Sequence, residues 1–223
     1  MTGQRTQVAL VDDHQLLAES LLLALHAEGF DAATVPVPSG GDMQAVLADL
    51  LQREPDVVLL DLDLGDVGDG APLVSPLAHA GSAVVVITSS REQSRWGECL
   101  ARGARTVLPK ASGLEHVVGI VRRIADGLPV ISDDQRNRMI QEWYRWRSAS
   151  NSVRAGLDRL TRREGQVLAA LATGKRVRDI AADAYVSEAT VRSQVKSILA
   201  KLGVTSQIAA VALARDIGWD PVA

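Results

Sequence analysis

Cysteine, aromatic residues and long apolar runs are what this 223-residue sequence has least of. The single cysteine, Cys99, excludes an intramolecular disulfide and a cysteine-rich zinc site, and it fits a reducing compartment. Aromatics make up only 3% of the chain, so its cores have to be built from Val, Leu, Ile and Ala. No apolar run approaches the roughly 20 residues that span a bilayer. The N-terminus, MTGQRTQVALVDDH, has one short apolar run before an acidic pair, which is not the pattern of a signal peptide. A cytoplasmic location with no membrane partner is therefore expected. The histidines His14, His26, His79 and His116 fall on four separate predicted elements and share no ligand spacing. Only His14 is near the acidic residues described below, and a helix-start or solvent role is expected for it.

What is present is a globular balance, 47% hydrophobic and 23% charged, in a chain long enough for two cores. The net charge of −3 hides an asymmetry. Residues 1–149 carry 13 Lys+Arg against 20 Asp+Glu, or −7; residues 150–223 carry 11 against 7, or +4. An acidic half joined to a basic half points to a polyanionic partner for the second half only. By itself a charge of +4 on a small domain is often just a solvated surface.

The first half alternates short apolar runs with helical patterns. The runs Val8–Val11, Ala32–Val35, Val57–Leu60, Ala83–Ile87 and Thr106–Leu108 are continuous, as strands buried on both faces are. Helical patterns lie between and after them, near 14–28, 41–53, 71–80, 91–102 and 113–126. The fold class predicted is α/β, a doubly wound five-stranded parallel sheet, with a second, smaller all-α domain. The alternation ends at Gly127-Leu128-Pro129. Segment 130–156 is polar, with Met139, Trp143 and Trp146 at helical spacing, which predicts a linker helix with one apolar face. Beyond Gly156 four short helices are predicted, near 161–172, 176–184, 188–202 and 206–217, with Gly174 and Gly203 just past two of their ends.

Several polar residues fall at the carboxyl ends of predicted strands: Asp12 and Asp13, then Asp61, Thr88 and Lys110. All these ends open on one edge of a parallel sheet, so the residues converge. Three clustered carboxylates repel one another and invite a hard divalent cation such as Mg²⁺. The most central carboxylate can act as a nucleophile towards a phosphodonor and form an acyl phosphate. A hydroxyl at Thr88 and an ammonium at Lys110 can then hold the phosphoryl oxygens. Taken singly, each residue has a plainer reading: a helix cap for an Asp, β-branched filler for the Thr, a solvated Lys. Their joint occurrence at strand ends favours the functional reading.

On these residues, 5–127 resembles the receiver domain of two-component response regulators, a flavodoxin-like fold. The resemblance implies that Asp61 is the phospho-acceptor. It also implies that Asp13, Asp61 and the backbone carbonyl of Asp63 bind Mg²⁺, with Asp12 supporting through water, and that Thr88 follows the phosphate. Three features depart from the family pattern. Gly65 stands where a Pro is usual, the loop GDVGDG is one residue longer than usual, and Val107 replaces an aromatic switch residue. The first two are expected to loosen the loop beside the pocket.

In the second half, Ser187 is a good N-cap and opens a helix in which Val191, Val195, Ile198 and Leu202 form a stripe to be buried. At about 100° per residue the opposite face carries Arg192, Ser193, Lys196, Ser197 and Ala200. A cationic face with small residues between the charges fits a DNA major groove, and equally an ordinary solvated helix. The preceding helix around Ile180-Ala181-Ala182 and its tight connection have helix-turn-helix spacing. Residues 160–204 resemble the LuxR-type helix-turn-helix on Leu160, Thr161, Arg163, Glu164, Val167, Leu168, Gly174, Ile180, Ala181, Ser187, Thr190, Val191, Val195, Lys201 and Leu202. With the receiver, the chain resembles the NarL/FixJ subfamily. That resemblance implies that Arg192, Ser193 and Lys196 face base edges while Thr190 touches the DNA backbone. It implies an internal salt bridge for Glu164 and a last helix, Ser206–Ile217, that pairs two DNA-binding domains. Gln194 stands where the family often has His, a departure expected to alter a phosphate contact.

The organisation expected is a receiver over 1–127, a partly helical linker over 128–156 and a DNA-binding domain over 157–223. The expected function is transcriptional regulation: a sensor histidine kinase phosphorylates Asp61, and the active form is a homodimer on double-stranded DNA. The protein is not expected to be an enzyme. The Asp61-Leu62-Asp63 sequence is similar to the nucleophile motif of haloacid-dehalogenase-type phosphatases, but it follows the third strand rather than the first. The alternative reading is a phosphorylation-independent DNA-binding regulator whose receiver serves dimerisation or ligand sensing.

Overall fold

The computed structural model describes residues 5–37, 42–216 and 218–219. The ends of three expected features lie outside them: Met1–Gln4 of the N-terminal segment, Gly41 at the start of the second predicted helix and Ile217 at the end of the last.

Five strands, β1 (Gln7–Val11), β2 (Asp31–Thr34), β3 (Val57–Asp61), β4 (Ala83–Thr88) and β5 (Thr106–Pro109), form one parallel sheet in the order β2-β1-β3-β4-β5. They alternate with α1 (Gln15–Ala27), α2 (Met43–Arg53), α3 (Ala71–His79), α4 (Gln93–Ala101) and α5 (Leu114–Ala125). Successive residues of a strand point to opposite faces. Ala9, Val11, Val58, Leu60, Val84 and Val86 therefore enter one core with residues of α2, α3 and α4. Val8, Leu10, Val57, Leu59, Val85 and Ile87 enter another with residues of α1 and α5. Helices on both faces of a parallel sheet are the doubly wound architecture read from the sequence. Strand order reverses at β1, and a crevice outside the carboxyl ends of β1 and β3 is where such a fold opens a site.

The chain's contacts divide it into two units that meet at Tyr144 and Arg145, within the long helix α6 (Asp133–Asp158). In the first unit, α6 approaches α4 at Gly97. A β-carbon there would stand 2.2 Å from the Met139 carbonyl oxygen and 2.7 Å from the Trp143 β-carbon, so only glycine admits the contact. The Arg136 guanidinium donates to the carbonyls of Leu100 and Ala104 at the end of α4, both at 2.8 Å. Met139 and Trp143 thus use the predicted apolar face of the helix. Trp146, expected on the same face, is 56% exposed. Cys99 is fully buried in α4, which pushes its thiol up to about 12 and leaves it unreactive.

In the second unit, α7 (Arg162–Ala172), α8 (Val177–Asp183), α9 (Glu188–Leu202) and α10 (Gln207–Asp216) enclose a core of Val167, Leu168, Ile180, Val191, Ile198 and neighbours. Leu157, near the end of α6, belongs to that core. The stripe Val191, Val195, Ile198 and Leu202 is buried as expected. No single helix among the described residues is long and apolar enough to cross a membrane.

Candidate functional site

The acidic residues converge at the carboxyl edge of the sheet. Asp12, Asp13 and His14 occupy the turn from β1 into α1, Asp61 ends β3, and Lys110 follows β5. One ligand atom from each of Asp12, Asp13, His14 and Asp61 lies within 4.8 Å of the others. Asp61 is only 2% exposed. Lys110 Nζ stands 2.6 Å from Asp61 Oδ2, a buried ion pair. Apart from that ion pair, the buried Asp61 oxygens have no donor of good hydrogen-bond geometry. The same ammonium donates to Asp12 Oδ1 at 3.0 Å and meets His14 Nδ1 at 3.0 Å.

Burial pushes the Asp61 carboxyl above the usual carboxylate range; Lys110 and the Asp63 backbone N–H oppose the shift and the nearby Asp12 charge adds to it. Burial pulls Lys110 down, but the Asp61 and Asp12 carboxylates outweigh it and hold the ammonium above its ordinary value. The ends of β1, β3 and β5 thus hold one ammonium, Lys110, against two carboxylates, Asp12 and the buried Asp61.

Thr88 ends β4 one residue beyond Ile87, the partner of Asp61 across the sheet. It is buried, and its Oγ1 accepts the Ser90 N–H at 3.1 Å. Asp63 lies on the loop after β3, where its side chain accepts the Gly65 N–H at 3.3 Å and its backbone bridges to Asp69. Gly65 has a φ of +57°, which proline cannot adopt, so the departure from the family pattern matches a different loop path. Within that loop the Leu64 N–H donates to the Gly68 carbonyl at 3.0 Å. His14, set aside in the sequence, joins the cluster: its Nδ1 is 2.6 Å from Asp13 Oδ1. Its adjacency to the acidic pair was the available signal.

In the second unit, Ser187 caps α9 by accepting the Thr190 N–H at 3.1 Å. Thr190, Arg192, Ser193, Lys196 and Ala200 are exposed on one side of α9. Arg192 pairs with Glu188 at 3.0 Å, an exposed contact of little net stability. Ser197, expected on this face, instead donates to Glu164 Oε1 at 2.6 Å. Glu164 also receives Lys201 Nζ at 2.6 Å and forms a capping box with Thr161. Burial would raise its pKa, but the donors from Lys201, Ser197 and Thr161 prevail and hold it at about 2. The internal salt bridge implied for Glu164 is present. Gln194 Oε1 is buried without a hydrogen bond. On α10, Ile208 is 82% exposed and borders an apolar cleft with Leu171 and Val211.

Comparison with known proteins agrees with both halves. Residues 8–122 match the family described as "Response regulator receiver domain". Residues 158–214 match "Bacterial regulatory proteins, luxR family". The chain is 30% identical to the probable transcriptional regulatory protein NarL of Mycobacterium tuberculosis strain H37Rv, over 94% of this chain and 93% of the relative. It is 29% identical to the nitrate/nitrite response regulator protein homolog of Haemophilus influenzae, over 94% and 96%. In fold it is similar to the RcsB response regulator of Salmonella typhimurium, with a TM-score of 0.50, 22% identity and coverage of 95% and 98%. A receiver sheet and a LuxR-type helix-turn-helix in one chain, matched along nearly their whole length by NarL-type relatives, place this protein in the family of two-component response regulators that regulate transcription.

Proposed function

We propose that Asp61 accepts a phosphoryl group from a sensor histidine kinase, and that this governs sequence-specific binding of double-stranded DNA through α9. The observation that carries the reading is the Asp61 carboxylate itself, buried, paired with Lys110 and flanked by Asp12 and Asp13. An oxygen of that carboxylate attacks phosphorus. The new P–O bond forms as the donor's P–N bond breaks, and the leaving imidazole nitrogen keeps the electron pair and takes a proton. Lys110 binds the transferred oxygens, and the Thr88 hydroxyl exchanges its Ser90 contact for one of them.

The donor set fits Mg²⁺, a hard cation that prefers oxygen. Asp13, Asp61 and the Asp63 carbonyl would hold it, Asp12 would support it, and the His14 nitrogen falls outside the set. Bound there, the ion would offset the charge that gathers on the phosphoryl oxygens. In this reading residues 1–127 are the receiver, 128–156 the linker and 157–223 the DNA-binding domain, and the protein works in the cytoplasm. Arg192, Ser193 and Lys196 read base edges, Thr190 touches the backbone, and α10 pairs two copies when the protein is active.

Two measurements test this. Incubated with Mg²⁺ and a small acyl-phosphate donor, the protein should gain a phosphoryl adduct by intact mass, and lose it when Mg²⁺ is chelated. No adduct under conditions that label another receiver sinks the phosphorylation reading. On a duplex selected by the wild-type protein from a randomised pool, Arg192→Ala and Lys196→Ala should each weaken binding by roughly tenfold, within the 1–3 kcal/mol of a good base contact. Unchanged affinity and sequence preference in both variants would remove α9 from the interface.

A further inference from the structure

Eight helices among the described residues end in the same hydrogen-bonded turn, in which an N–H reaches back to the carbonyl five residues earlier. The penultimate residue of such a turn is left-handed, a conformation in which a β-carbon clashes and which glycine adopts freely. At seven of the eight it is glycine, with Gly29, Gly103 and Gly174 as examples. The eighth closes α8, where Val186 N–H reaches the Ala181 carbonyl at 3.0 Å and the left-handed residue is Tyr185, at φ +54°. The other left-handed non-glycine, Glu54, precedes Pro55, which has no N–H to close this turn.

Nothing within the fold repays this choice. Tyr185 is 96% exposed, so its ring packs on no core, and among the described residues it makes no side-chain hydrogen bond or ring contact. The chain thus accepts backbone strain and an exposed aromatic together at one position, the turn that leads into α9. Strain that the surrounding structure does not need points to function. Tyr185 lies two residues before Ser187, the cap of α9, so it starts within about 7 Å of the helix end that carries Thr190 and Arg192. A phenol combines a donor for a phosphate oxygen with a flat face for a deoxyribose, and tyrosine is one of the side chains that make backbone contacts to DNA.

We infer that Tyr185 is a DNA contact: its hydroxyl donates to a phosphate oxygen beside the groove that α9 enters, and so sets the position of the helix on the duplex. The inference rests on the reading of α9 as a recognition helix. A residue in this role fixes register and affinity rather than sequence preference.

The experiment compares full-length wild type with Tyr185→Gly, Tyr185→Asn and Tyr185→Phe, by thermal midpoint and by affinity for the duplex selected by the wild type. Tyr185→Gly and Tyr185→Asn are expected to raise the midpoint of the DNA-binding domain, the glycine by about 4 °C, because the strain is relieved. Both are expected to weaken DNA binding roughly five- to twentyfold, equally on selected and unrelated duplexes. Tyr185→Phe keeps the wild-type midpoint and loses affinity several-fold, since only the hydroxyl is gone. Stabilised Gly and Asn variants with wild-type affinity would overturn the inference, as would a fall in their stability, which would make the ring structural. Wild-type affinity in Tyr185→Phe would overturn the phosphate hydrogen bond. If the wild type selects no duplex, the recognition-helix reading falls with this one. If it does select one, Lys196→Ala loses affinity and the Tyr185 variants do not, only the Tyr185 contact is lost.

Discussion

Asp61→Asn is expected to take up no phosphoryl group and yet to melt at a higher temperature than the wild type. Both outcomes follow from one feature, a carboxylate buried so deeply that its pairing with Lys110 does not offset the lost water. The amide is not a nucleophile towards phosphorus, so loss of the adduct should be complete. The stability gain follows from the direction of the pKa. Burial raises the folded-state pKa of Asp61 above its unfolded value. A carboxyl with a raised pKa contributes stability while protonated, below its unfolded pKa, and loses that contribution as pH rises through the folded pKa. At neutral pH the ionised Asp61 therefore weighs against folding, and a neutral amide of the same shape does not. Lys110 keeps Asp12 as a partner at 3.0 Å, so the substitution does not strand the ammonium. A gain of about 1 kcal/mol is expected in Mg²⁺-free buffer, as for other charges buried for function. The difference should be widest at neutral pH and close on acidification. A variant that melts below the wild type at pH 7 would show the Asp61–Lys110 pair to be a net stabiliser.

Glu164→Ala is expected to destabilise the second unit by about 3 kcal/mol, the scale on which removing one partner of a buried charge network acts. The carboxylate accepts from Lys201, Ser197 and the backbone and hydroxyl of Thr161, so it ties the first turn of α7 to the middle and end of α9. Its loss leaves a half-buried ammonium and an uncapped helix start. Glu164→Gln retains an acceptor for the cap and should fall between the two. The pH dependence has the opposite sign to that of Asp61. A carboxyl held at about 2, against an ordinary 4.5, contributes stability that is full above its unfolded pKa and disappears as pH falls towards its folded one. Wild type should therefore lose this contribution between about pH 4.5 and pH 2, and Glu164→Gln should lack that component of the acid transition. Denaturant unfolding of the two variants measures the first effect, and acid unfolding the second. A Glu164→Ala midpoint equal to wild type would show the network to be spectator to the fold.

The sheet was legible because parallel strands buried on both faces read as unbroken apolar runs, and all five runs became strands within a residue or so of their expected ends. The buried stripe of α9 was legible because helical periodicity fixes which residues share a face. The pocket was legible as a set of strand-end residues, since any parallel sheet brings those ends to one edge. What the helical wheel misjudged was Ser197, placed on the free face by angle but drawn inward by Glu164, a residue 33 positions away on another helix. Trp146 likewise shares its spacing with Met139 and Trp143 but not their burial, because spacing fixes a side chain's direction and not what lies opposite it.

Local rules acting on neighbouring residues, periodicity, capping and strand-end chemistry, were thus enough to determine this protein's architecture and the residues that meet at the sheet's carboxyl edge. They act over a few positions, and the sequence displays them directly. Tertiary structure alone decided the state of individual residues: the burial of Asp61 against Lys110, the three-way grip on Lys110, the inward turn of Ser197 and the exposure of Tyr185. Each of these depends on which distant groups share a few ångströms of space and how much water is left there. Those quantities set the pKa of a carboxylate or the strain of a turn, and no run of adjacent residues encodes them.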